Sequence, residues 1–242
     1  MRRCYCIPLT YTYEPTVSAL LTLSPPTSRC AHRAHGRGGD LFYASHAWHP
    51  FFLQGTKTLA YELWEDLGFR APDNIIIPTG GGSNILGCDI GFSELMRSGE
   101  IKNLPRLFCA QPLVCSPIAT AILEAQGVND EVTAPKEWNV PIQTAAEGTS
   151  ISRPVRQDEC VTAVLRSKGG AVRVTEDQMK EATFEMAQMG LYTEPTCAQA
   201  AAACKLLLEK GTIKPDETTV VVLTSTGVKA TPMIADLLRV KI

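Results

Sequence analysis

The chain has 242 residues, 45% of them hydrophobic and 20% charged, with a formal net charge of −2. This is ordinary globular usage and enough chain to bury a core without disulfide or metal staples, so collagen-like, coiled-coil and wholly disordered readings are excluded. A near-neutral balance gives no nucleic-acid footprint, and no apolar run approaches the roughly 18–20 residues of a membrane helix.

The charge is uneven. Residues 1–40 carry Arg2, Arg3, Arg29, Arg33 and Arg37 against Glu14 and Asp40, a local +3, and the remainder carries −5. Residues 1–39 also hold Pro8, Pro15, Pro25 and Pro26 among many Ser and Thr, and end in a Gly-Arg-Gly-Gly segment. They are expected to be a leader outside the domain, disordered or misassigned, with 41–242 as the folded part. An Arg-rich, acid-poor leader is also the composition of an organellar transit peptide. Cys4, Cys6, Cys30, His32 and His35 match no zinc spacing, and no metal is expected. Nine scattered cysteines, an odd number, read as reduced thiols in a cytosolic or organellar-matrix setting rather than a secreted disulfide framework.

From Asp40 on the pattern is that of a parallel α/β fold. Leu59, Ala60, Leu63, Trp64 and Leu67 share one helical face within a predicted helix over 55–67, stopped by Gly68. A β-branched run at 74–77 is a buried strand, followed by Pro78-Thr79-Gly80-Gly81-Gly82-Ser83-Asn84 and a helix over 85–96. A strand at 107–110 and a helix at 116–125 follow. Helix 159–167, strand 171–174, helices 176–189 and 198–209, strand 219–223 and helix 231–238 complete the chain. Strands alternating with helices predict three layers, a mostly parallel sheet covered by helices on both faces.

The strongest chemical signal is the strand, glycine loop and helix at 75–85. Without Cβ atoms, Gly80, Gly81 and Gly82 let the backbone turn tightly, and their N–H groups converge where the helix N-terminus adds positive partial charge. Ser83 and Asn84 add donors, and the guest that suits them is a phosphate. The loop is neither GxGxxG nor GxxxxGK[ST], so a glycine-rich connection without a ligand stands beside that reading. A second signal is Val220-Val221-Val222-Leu223-Thr224-Ser225-Thr226-Gly227, a buried strand delivering hydroxyls at its C-terminal end. A capped strand-to-helix turn explains that segment equally well.

Taken together, five segments resemble the fold-type II pyridoxal-phosphate enzymes (the tryptophan synthase β-like fold), and among them the threonine synthases. They are YASHAWHPFFLQGTKT at 43–58, PTGGGSNILG at 78–87, AAEGTSISRPVR at 145–156, the GLYTEPTCAQAAAA-like text at 190–203, and LTSTGVKAT at 223–231. The resemblance covers about residues 41–242, as the C-terminal part of such an enzyme. It implies pyridoxal 5′-phosphate as cofactor, with Gly80, Gly81, Gly82, Ser83 and Asn84 around its phosphate and the Thr224 hydroxyl facing its pyridine nitrogen. It implies a lyase that converts O-phosphohomoserine and water to threonine and phosphate, in amino-acid biosynthesis. Related members dehydrate or deaminate hydroxy-amino acids. The implied partner is a small amino-acid substrate, with no nucleic acid and no membrane; a homodimer is compatible.

One departure stands out. The family's Schiff-base lysine lies in an N-terminal Ser-Phe-Lys-type segment, and the first lysine here is Lys57. Its setting matches a helix-opening segment of the family, so Lys57 is expected to be solvated rather than nucleophilic. A truncated, inactive chain is therefore expected, with no assignable catalytic residue, and a non-catalytic phosphate-binding or assembly fragment is the competing description. Gln54 and Gly81 stand where relatives often carry Glu and Asn. His46 and His49 are expected to pack or face solvent. Glu194 reads as a helix-start acid, and Cys197 sits at the same helix start, where a thiolate is somewhat favoured.

Overall fold

The computed structural model describes residues 4–8, 48–49, 51–128 and 144–238. Strands β1 (Cys4–Pro8), β2 (Asn74–Pro78), β3 (Arg106–Pro112), β4 (Gly170–Val174) and β5 (Thr219–Leu223) form one sheet in the order β1-β5-β2-β3-β4, and every pairing is parallel. The helices are α1 (Phe52–Thr56), α2 (Thr58–Asp66), α3 (Ser83–Arg97), α4 (Pro117–Ala125), α5 (Gln157–Arg166), α6 (Glu176–Gln188), α7 (Pro195–Glu209) and α8 (Thr231–Leu238).

Two apolar cores prove the three layers. Alternate residues of each central strand point to opposite faces. Ile75, Ile77, Leu107, Cys109, Val220 and Val222 join Leu63, Phe92, Ile118 and Val164, from α2, α3, α4 and α5. Ile76, Phe108, Ala110, Val221 and Leu223 join Met179 and Met186 of α6 and the alanines of α7 on the other face. Strands buried on both faces need continuous rather than alternating apolar sequence, which is why β2 and β5 read as unbroken β-branched runs.

Cys4–Pro8, inside the expected leader, pairs with β5 along its whole length as an edge strand. The rest of that leader, including Cys30, His32 and His35, lies outside the described residues, as does His46. The predicted helix 55–67 is two helices joined at Lys57. This pair packs unusually close to α3. A Cβ on Gly87 would stand 2.6 Å from the Thr56 backbone, and one on Gly91 would stand 2.6 Å from Ala60 Cβ. Lys57 is only partly solvated, its side chain 20% exposed: the ammonium donates to both Glu94 oxygens at 3.1 and 3.0 Å, and the Tyr61 hydroxyl donates to the same carboxylate.

Candidate active site

The β2–β5 pairing builds the site. Their register aligns Asn74 with Thr219 and Ile76 with Val221. The segments leaving both strands at the C-terminal edge are therefore neighbours, although about 140 positions separate them in the chain. That edge is where open α/β sheets collect ligands. A cavity of about 320 Å3 opens there, within the roughly 300–1,000 Å3 of small-molecule pockets. Gly80, Gly81, Gly82, Ser83, Asn84 and Thr224 all line it. A larger cleft of about 420 Å3 lies at the opposite, N-terminal ends of the strands around Asp73, Arg106 and Glu217, and carries no glycine loop.

The loop is anchored before it turns. The Thr79 N–H donates to Ala110 O at 2.9 Å, and the Gln111 amide donates to Thr79 O at 3.1 Å. Gln111 is fully buried, and its carbonyl oxygen accepts from the Ala119 N–H at 2.8 Å, which ties the loop to the start of α4. Gly82 then adopts φ +88°, a left-handed conformation that only glycine takes cheaply. It begins α3, a 15-residue helix with no acidic side chain in its first turn and no side-chain cap. The first N–H groups of that helix have no intrahelical acceptor.

A second backbone strip closes the cradle. A Cβ on Gly80 would meet Gly148 O at 3.1 Å, Ile151 Cδ1 at 3.2 Å and Thr149 Cα at 3.3 Å. Gly148, Thr149 and Ile151 line the cavity with Glu194, Thr196, Ser225 and Lys229. In the sequence, Thr224 of the 223–231 segment already stood at the ligand edge, whereas the 145–156 and 190–203 segments carried no signal of their own for a place in the site.

Thr224 is held from behind. Cys197 Sγ lies 3.4 Å from Thr224 Oγ1, accepts from the Ser225 N–H at 3.0 Å and donates to Ser225 O at 3.2 Å. The expectation of a thiolate-prone Cys197 is corrected here. Burial pushes its thiol pKa up, because desolvation penalises the charged form more than the hydrogen bonds with Thr224 and Ser225 favour it. Glu194 is the N-cap of α7 and pairs with Lys229 across the cavity wall. Lys57 and His49 do not line the cavity.

A donor-lined glycine loop at a helix start suits a phosphate. The sequence pattern of the family described as "Pyridoxal-phosphate dependent enzyme" matches residues 24–225. The chain belongs to this family.

Among its relatives is threonine synthase of Methanocaldococcus jannaschii, 33% identical over 190 residues, covering 78% of this chain and 45% of that protein. Threonine synthase 2, chloroplastic, of Arabidopsis thaliana is 29% identical over 221 residues, covering 90% of this chain and 42% of that one. The chain thus spans less than half the length of these curated relatives. The fold is also that of a fungal L-serine ammonia-lyase from Rhizomucor miehei, with TM-score 0.62, 19% identity and coverage of 79% of this chain and 57% of the other. For Escherichia coli threonine synthase the TM-score is 0.54 at 15% identity, covering 79% and 41%. Pyridoxal phosphate is the cofactor of the family, and the glycine cradle has the chemistry to take its phosphate.

Proposed function

We propose that this cavity grips the phosphate and faces the ring of pyridoxal phosphate in a lyase of threonine-synthase type, acting on O-phosphohomoserine and water to give threonine and phosphate. The observation that carries the reading is the convergence of the Gly80–Asn84 loop and Thr224 on one cavity. The sequence relatives named as threonine synthases support the choice of reaction.

In this reading the N–H groups of the loop and of the first turn of α3 hold the phosphate dianion, helped by the helix dipole. The Thr224 hydroxyl hydrogen-bonds the pyridine nitrogen as a neutral group, without forcing a proton onto it. Cys197 keeps that hydroxyl in register. When bound, the cofactor supplies the electron sink for chemistry at the amino-acid α-carbon. The Gly148–Ile151 strip excludes water from one side of the cradle.

Lys57 is engaged with Glu94 away from the cavity, which supports a second reading in which this chain grips the cofactor without turning over substrate. Among the described residues, no helix is long and apolar enough to cross a membrane. Cys88, Cys109, Cys115, Cys160 and Cys197 are buried thiols outside any disulfide, which supports a reducing compartment, the cytosol or an organellar matrix, and a homodimer is compatible with the reading.

Titration of the purified chain with pyridoxal phosphate, followed by absorbance, tests the grip. Phosphate release from O-phosphohomoserine tests the turnover. Saturable 1:1 uptake with release of phosphate supports the lyase. Uptake without release, and no single lysine labelled after borohydride reduction and peptide mapping, supports the non-catalytic reading. Absence of uptake removes both.

A further inference from the structure

Lys229 is the one lysine or arginine on the cavity wall among the described residues. Its ammonium lies 3.1 Å from Glu194 Oε2, with the Glu194 side chain 12% exposed and that of Lys229 63% exposed. A nearly enclosed carboxylate thus holds the foot of a cation that remains open to an incoming ligand. The backbone sets this pair in advance. Glu194 occupies the N-cap position of α7, and Lys229 sits in the short turn Gly227–Ala230. The Gly227 N–H donates to Tyr192 O at 2.9 Å, and Thr193 bridges to Thr226.

The charge logic follows. An unpaired carboxylate in the wall would repel every anion that enters. Paired with Lys229 it instead orients an ammonium, and the Glu194 bond uses one of that group's three donors. The cofactor phosphate does not need this cation, because the loop N–H groups answer it. An amino-acid substrate brings further oxyanions of its own.

We infer that Lys229, oriented by Glu194, is a specificity-determining contact for an oxyanion of the amino-acid substrate, its phosphate ester or its carboxylate. This rests on the pyridoxal-phosphate reading of the cavity. Glu194 is a positioning residue in this arrangement, acting through the ammonium.

The test begins with chain loaded with pyridoxal phosphate, titrated calorimetrically at low salt with inorganic phosphate and, separately, with acetate. The loaded wild type is expected to bind one oxyanion per chain. Tighter phosphate assigns the contact to the ester, and tighter acetate assigns it to the carboxylate. Lys229→Met should still take up the cofactor but bind the oxyanion at least tenfold more weakly. The double variant Glu194→Gln/Lys229→Met should remain as weak, since it lacks the donor. Recovery in the double variant would overturn the inference, because Lys229 would then only neutralise Glu194. Cofactor uptake with no oxyanion binding by the wild type also overturns it alone. Failure of cofactor uptake by the wild type overturns the functional reading and this inference with it.

Discussion

A β-carbon on Gly82 would fall 2.1 Å from the sulfur of Cys160. The same residue has φ +88°, and its carbonyl oxygen faces that thiol at 3.7 Å. Position 82 is therefore closed to side chains twice over, by conformation and by contact. Gly81 is different: a Cβ there meets only Ile151 Cδ1, at 3.7 Å. Gly82→Ala should destabilise the chain by roughly 2–4 kcal/mol, combining left-handed strain with overpacking. Gly81→Ala should cost well under half of that. Urea midpoints of the two variants check the ordering. Adding Cys160→Ala to Gly82→Ala should recover only part of the loss, because the strain in φ remains.

Thr224→Ala should leave most of the phosphate grip in place while shifting the absorption band of bound pyridoxal phosphate. Cys197→Ala should produce a smaller shift of the same sense by freeing Thr224 and Ser225, and Cys197→Ser should restore the wild-type band. Identical bands in all four proteins would remove Thr224 from the ring.

Glu217 ties the other end of the sheet together. It accepts from Arg106 Nη2 at 2.6 Å, Asn74 Nδ2 at 3.1 Å and the Lys214 N–H at 2.9 Å. Burial alone would raise its pKa, but these donors win and hold it below the ordinary carboxylate value. A depressed carboxylate contributes stability that is present above its unfolded pKa and is lost as pH falls through the folded value. Glu217→Gln should lose about 1–2 kcal/mol at pH 7 and flatten the stability profile between about pH 5 and 3. Urea unfolding at several pH values reads both effects. An unchanged acid slope would count against this cluster.

Burial pushes the Cys88 and Cys109 thiols up to about 12 and that of Cys115 up to about 11, and it drives Cys160 upward too, because a thiolate loses its hydration there. At pH 8 these four should resist iodoacetamide on the native chain and react readily in urea. Mass mapping of alkylated peptides checks this. Fast native labelling of Cys160 would mean that the cradle opens on its own.

Strands β2 and β5 were legible because burial on both faces demands unbroken runs such as Ile75–Ile77 and Val220–Val222, and local composition carries that demand. The helices were legible from one-face periodicity, and the glycine loop from its composition. β1 was not, because Cys4–Pro8 has no pattern of its own and gains its strand conformation from pairing with the edge of β5. The break at Lys57 was hidden as well, since it comes from α3 approaching closely at Gly87 and Gly91 and from a carboxylate 37 positions away.

The sequence by itself determined the α/β class, the glycine-rich loop after the second strand, the family and the hydroxyl-bearing end of the last strand, since each is written in contiguous residues. Only the tertiary structure decided which glycine is indispensable, that the loop and Thr224 share one cavity, that Gly148–Ile151 closes it, and that Glu194 meets Lys229. The physical reason is the same throughout. Those relationships depend on distances between segments far apart in the chain. The parallel register of β2 on β5, together with the packing of helices on each face, sets those distances.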